Sequence, residues 1–194
     1  MIKIYLIIFL STLSMNLNAQ DSKFKLLVKG GISDYGDVNF SFGNGGAGEW
    51  KIGSIIGLGI EYDLHKNWFL QGTIEYSQNT FEGTVFYPET LEPGSNSVVD
   101  LLANIKKRWN WFYLAVGIGY SFQNSSDTYA SSTENGAEFR RLVSEGTTSN
   151  MLSGLLGVGL EFNIFENINV FLEGSWRLRK YVSPAAQLGI NYNL

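Results

Sequence analysis

The sequence predicts an all-β fold: an eight-stranded antiparallel up-and-down β-barrel whose wall is apolar on one face and polar on the other. Three observations predict it. Apolar residues alternate with small, polar or charged ones over long stretches, most clearly across residues 50–64, and a period of two marks a strand with two unlike faces. The connections alternate between long and short, and a meander puts successive connections at opposite ends of the sheet. The composition also suits long strands, with 14% aromatic residues, 22 glycines and only three prolines.

In chain order, Phe24, Leu26, Val28, Gly30 and Ile32 alternate with Lys25, Leu27, Lys29, Gly31 and Ser33 in a first strand. A glycine-rich loop follows, then the 50–64 strand, with Trp50, Ile52, Ile56, Leu58, Ile60 and Tyr62 against Gly53, Gly57, Gly59 and Glu61. The polar turn 63–67 leads to a third strand, with Trp68, Leu70, Ile74 and Tyr76 on one face and Gln71, Thr73 and Glu75 on the other. Residues 79–96 read as a second long loop, 99–109 as a strand, and 112–122 as its short-turn partner. Residues 123–150 read as the longest loop, and 137–145 within it as a helical turn or two. Three strands complete the set, at 152–163, 168–179 and 186–194.

The N-terminus has the form of an export signal. Met1-Ile2-Lys3 is a short basic start, residues 4–10 are apolar, and Ala19 precedes Gln20 as a cleavage point. Residues 1–19 thus read as a signal peptide and 20–194 as the barrel domain. No apolar run is long enough for a membrane-spanning helix.

Alternation alone does not separate a membrane barrel from a soluble ligand-carrying one, which exchanges the two faces. The polar face decides for the membrane. Its charges, among them Lys29, Glu61, Glu75, Lys106, Arg108, Glu161, Glu173 and Arg177, are near balance in sign, as in an interior network. The apolar face carries Trp50, Tyr62, Trp68, Tyr76, Phe162, Trp176 and Tyr192 towards the strand ends, the pattern of an aromatic girdle at two membrane interfaces. The short connections are then periplasmic turns and the long ones extracellular loops. Eight strands leave a lumen just wide enough for side chains to fill. Glu61 and Glu161 are expected to bond the basic cluster near the periplasmic end.

This pattern resembles the small eight-stranded outer-membrane barrels of Gram-negative bacteria, the opacity-protein and OmpA-barrel-like superfamily, over the whole mature chain. The repeated G-x-G-x-E-[YF] strand, turn and aromatic-apolar strand at 57–76 and 157–176 is similar to that family's hairpins. Gln187, Gly189, Tyr192 and Leu194 resemble its C-terminal assembly signal, with leucine where the family usually ends in phenylalanine. The resemblance implies location in the cell outer membrane, contact with outer-membrane lipid, and a biogenesis partner in the barrel assembly machinery.

Little in the sequence points to catalysis. The Gly-x-Gly pairs at 57/59, 117/119 and 157/159 lack the third glycine and following helix of a nucleotide loop. The only histidine, His65, lies in a predicted periplasmic turn, which leaves no Ser–His or zinc arrangement. Without cysteine there is no disulfide, thiolate nucleophile or cysteine-bound metal, and a net charge of −4 argues against nucleic acid. No catalytic, cofactor-binding or metal residues are expected. The loop aromatics Tyr35, Phe40, Phe42, Phe81, Phe86, Tyr87, Tyr129 and Phe139 could anchor an extracellular ligand or protein. The leading reading is therefore a non-enzymatic barrel with a structural or binding role through its loops. The alternatives are a narrow channel or secretion accessory and, further off, a soluble ligand-binding barrel or a lipid-modifying enzyme.

Overall fold

The computed structural model describes residues 23–34, 40–41, 47–50, 52–84, 90–134 and 137–194, some of the loop residues by backbone alone. The signal-peptide reading of 1–19 and the loop residues Tyr35, Phe42, Phe86 and Tyr87 lie outside the described residues, as do the side chains of Phe40, Trp50 and Phe81.

Eight strands form the wall: β1 Phe24–Ser33, β2 Gly53–His65, β3 Trp68–Thr84, β4 Gly94–Trp109, β5 Phe112–Ser125, β6 Thr148–Phe165, β7 Ile168–Leu178 and β8 Val182–Asn193. Each pairs antiparallel with its neighbour in the chain, and β1 pairs with β8 from Lys25↔Asn193 to Ser33↔Ala185, closing the ring. Closure leaves no unpaired edge in the wall, the condition for strands to cross lipid. Positive φ occurs at Lys66 and Asn67 (49° and 66°) between β2 and β3 and at Asn110 (55°) between β4 and β5, a conformation that asparagine tolerates better than most residues.

The two faces separate cleanly. Ile56 (60% exposed), Leu58 (63%), Ile118 (76%) and Leu188 (60%) point away from the barrel, while Glu61 and Glu75 are wholly buried inside it. An apolar belt of this extent in water would forfeit about 25 cal/mol for each Å² left exposed, so its solvent is lipid. Inside, two glycines make room for rings on the strand opposite. Gly159 faces Tyr113 and Gly189 faces Phe171, and a β-carbon on either glycine would overlap the ring.

Two features differ from the sequence reading. Residues 137–145 are not helical: Ala137–Ser144 is a strand paired with Thr128–Glu134, from Ala137↔Glu134 to Leu142↔Tyr129. An isolated segment this short makes a marginal helix, whereas the hairpin satisfies its backbone at once. The 50–64 strand is also interrupted. Wall strand β2 begins at Gly53, and Trp50 belongs to a short strand, Ala47–Trp50, that pairs with β3 as Trp50↔Phe81. The long-loop ends of β3, β4, β5 and β6 run beyond their predicted limits, with pairing that reaches Phe81↔Gly94 and Thr148↔Asn124.

Candidate functional site: the charged lumen and the extracellular sheet

Charged side chains enter the lumen because alternate residues of each strand must face it and eight strands leave no room for solvent around them. They sort into three tiers. Nearest the short turns, the Lys106 ammonium bridges Glu61 (Oε2, 2.7 Å) and Glu161 (Oε2, 2.6 Å). Lys25 adds a second bond to Glu61 (3.0 Å) and Arg108 a second to Glu161 (3.1 Å). The remaining carboxylate capacity is taken by amides, Gln71 donating to Glu61 at 2.7 Å and Asn169 to Glu161 at 2.9 Å. The ring of Phe69 lies under the Lys25 ammonium, 4.4 Å from its centroid.

In the middle tier Lys29 lies between Glu75 (2.5 Å) and Glu173 (3.3 Å). Arg177 grips the other oxygen of Glu75 through two nitrogens and donates to Gln187 and Ser175, each at 2.9 Å. The Tyr113 hydroxyl donates to Glu173 at 3.0 Å while its ring faces Lys106 at 4.6 Å, so one residue ties the first two tiers together. Nearest the long loops, Arg179 and Ser121 both bond Asp100, and Arg177 reaches the same carboxylate at 4.0 Å. The result is one continuous, mutually neutralising web. Each carboxylate of the web is matched to at least one cation, as a buried charge requires.

The eight residues named from sequence for the lumen all lie in this web. Lys25, Gln71, Asp100, Tyr113, Asn169, Arg179 and Gln187 belong to it as well. Their inward parity was readable in the sequence, but their partners were not. His65 is the last residue of β2 rather than part of the turn, exposed and away from the web. Among the described residues there is no cluster of His, Cys, Asp and Glu suited to a metal ion.

On the outer face, Trp68, Phe162 and Tyr192 are about half exposed near the short turns, and Tyr62 packs against Phe24 with centroids 4.8 Å apart. Tyr76 and Trp176 lie outward nearer the long-loop end. Of the C-terminal residues, Gln187 faces inward to Arg177, Gly189 accommodates Phe171, Tyr192 faces outward, and the Leu194 amide donates to the Phe24 carbonyl at 3.0 Å.

At the long-loop end the sheet continues beyond the wall. Thr90–Leu91 pairs with Ser131 and Ala130 of the Thr128–Glu134 strand. A side-chain clip secures this join. Arg140 donates to both oxygens of Glu92 (2.8 and 2.6 Å), and its guanidinium lies 3.7 Å from the centroid of the Tyr129 ring. The Tyr129 hydroxyl donates to Asp127 at 3.1 Å, and Asp127 also accepts from the Gly146 amide at 2.7 Å. Hydrogen bonds from Arg140 hold the Glu92 carboxyl below the usual carboxylate range, and the Gly146 amide does the same for Asp127. Beside the clip, Phe139 and Leu142 are exposed to solvent.

The family model for the outer membrane protein beta-barrel domain matches residues 6–193. The chain belongs to that family. It is an integral outer-membrane barrel, and it is similar to solved structures at low sequence identity. The attachment invasion locus protein Ail of Yersinia pestis is 16% identical over 88% of this chain and 98% of its own, with a TM-score of 0.51. Neisserial surface protein A is 12% identical over 89% of this chain and 98% of its own, with a TM-score of 0.44. The N-terminal β-barrel domain of Pseudomonas aeruginosa OprF is 14% identical over 90% of this chain and 100% of its own, with a TM-score of 0.42. No curated protein matches the chain.

In this outer-membrane barrel the short turns are periplasmic and the long loops extracellular. The Glu92–Arg140 clip is the part of the molecule that sequence reasoning did not find. One local signal pointed to its hairpin: Asn135-Gly136, a favoured two-residue turn sequence, separates the paired Glu134 and Ala137.

Proposed function

We propose that this protein is a non-enzymatic outer-membrane barrel that acts through its extracellular sheet, as a structural element or by binding an extracellular ligand or protein. The observation that carries the reading is the clipped hairpin Thr128–Ser144, which presents Phe139 and Leu142 to solvent on a frame anchored to the wall. Rigid, exposed aromatic and apolar side chains suit recognition because little conformational freedom remains to be lost on binding. The lumen web supports the same reading, since its carboxylates are all committed to ion pairs and a filled lumen conducts poorly. Residues 1–19 serve as the export signal, and the C-terminal Gln187, Gly189, Tyr192 and Leu194 as the cue for the barrel assembly machinery.

Two measurements test this. Reconstitution in a planar bilayer is expected to give no stable conductance; regular single-channel steps would favour the narrow-channel reading instead. On intact cells, external protease is expected to cut within residues 125–148 and leave the wall strands intact. Cleavage only after the outer membrane is opened would reverse the assigned orientation.

A further inference from the structure

At the periplasmic end the lumen opens into a cavity of about 500 Å³, within the range of about 300–1,000 Å³ typical of small-molecule sites. Its lining takes two members of the web and adds residues from the turns. Asn67 and Asn110 come from two periplasmic turns and Asn163 from the periplasmic end of β6. Arg108 and Glu161 lie between them, Trp111 flanks them, and Phe162 borders the edge. Trp111 is 50% exposed, so its indole is available to a ligand.

Backbone bonds hold the mouth in shape. The Arg108 amide donates to the Asn67 carbonyl at 3.0 Å, and the Glu161 amide to the Trp111 carbonyl at 2.7 Å. Both bonds cross from one turn region to the next strand, so the cavity is largely preformed. Positive φ accounts for asparagine at 67 and 110, whereas Asn163 lies in β6 where the β6–β7 register shifts between Asn163 and Phe165.

The chemistry selects a class of ligand. Arg108 is tied to Glu161 at 3.1 Å, and Glu161 also binds Lys106 at 2.6 Å, so the charges in the lining are committed to the web. Primary amides offer both donors and acceptors, which suits a ligand rich in hydroxyl or acetamido groups. An indole beside them suits the flat C–H face of a sugar ring. We propose that this vestibule is a binding site for a short neutral saccharide, entered from the periplasm. The proposal does not depend on what the extracellular sheet binds.

The test uses the refolded full chain in a detergent without a sugar headgroup, since a glycosidic detergent would compete. N,N′-diacetylchitobiose is titrated while amide NMR signals and tryptophan fluorescence are followed. Saturable shifts are expected at the Asn67, Asn110 and Asn163 side-chain amides and at the Trp111 indole. Trp111→Phe and Asn163→Ala are each expected to weaken binding by about tenfold or more. Trp109→Phe, on the outer face, is expected to leave it unchanged. Wild-type NMR needs no variant, so a folding defect in a mutant cannot mask the answer. No saturable shift on the wild type would overturn the proposal. So would equal loss with Trp109→Phe, or saturable binding of inorganic sulfate in preference to the sugar.

Discussion

Tyr113 lies directly across from Gly159 in the β5–β6 ladder, and its ring fills the space that a β-carbon on that glycine would need. The glycine is therefore part of how the tyrosine reaches Glu173. Gly159→Ala is expected to destabilise the barrel by about 1–3 kcal/mol through overpacking. Adding Tyr113→Ala should recover part of that loss, because the two changes share one volume. Denaturant unfolding of the single and double variants checks the coupling, and additive effects would contradict the contact.

Lys106 is the cation shared by Glu61 and Glu161, and all three are buried. Lys106→Met leaves two carboxylates facing each other with fewer donors. Removing one partner of a buried pair typically costs about 3–5 kcal/mol. Glu161→Ala should be milder, since Lys106 keeps Glu61. The heat-dependent gel shift and the unfolding midpoint report both, and an unchanged midpoint in Lys106→Met would show that the web adds little to stability.

The outward face offers a test that separates lipid from water as its solvent. Val116 is 59% exposed on β5. Val116→Arg is expected to cost about 2–4 kcal/mol if the residue lies near the bilayer midplane. On a water-exposed surface the same change would stay within about 0.5 kcal/mol. Folding yield into phospholipid vesicles, compared with wild type, distinguishes the two.

The extracellular clip should respond to acid. The Glu92 carboxyl is held below its ordinary value in the folded protein by Arg140. Its contribution is therefore complete above the ordinary carboxylate range and is lost as pH falls through the depressed folded value. Asp127, lowered by the Gly146 amide, follows the same sign. Hydrogen exchange in the Thr128–Ser144 hairpin, corrected for intrinsic rate, is expected to accelerate below that range while β5 and β6 keep their protection. Arg140→Ala should abolish most of this pH dependence and leave the barrel's unfolding midpoint where it was.

The wall was legible in the sequence because lipid on one side and a crowded lumen on the other impose a strict period of two, so Ile56, Leu58 and Ile60 could be assigned a side without coordinates. The lumen pairs were not legible. Lys29 bonds Glu173, 144 residues away, because ring closure sets β1 and β7 on either side of β8, and register rather than spacing sets the partner. The extracellular sheet was hidden for the opposite reason. Beyond the membrane there is no apolar face to enforce alternation, so the Ser- and Thr-rich ends of β5 and β6 read as loop although their backbones pair. Residues 137–144 carry Glu138, Arg140, Arg141 and Leu142 at spacings that also fit a helix, and only Asn135-Gly136 argued for a hairpin.

The ladder between β1 and β8 makes the wall a ring without a privileged seam, since Lys25 meets Asn193 as regularly as any interior pair. Chain order is therefore incidental to the finished shape. Joining the ends by a short linker and opening the chain in an extracellular loop would leave all eight ladders intact, which makes the molecule a natural candidate for circular permutation. The same ladder bears on assembly. Until β8 finds β1, a partial sheet carries two bare edges that lipid cannot hydrate, so insertion and closure must proceed as one cooperative event.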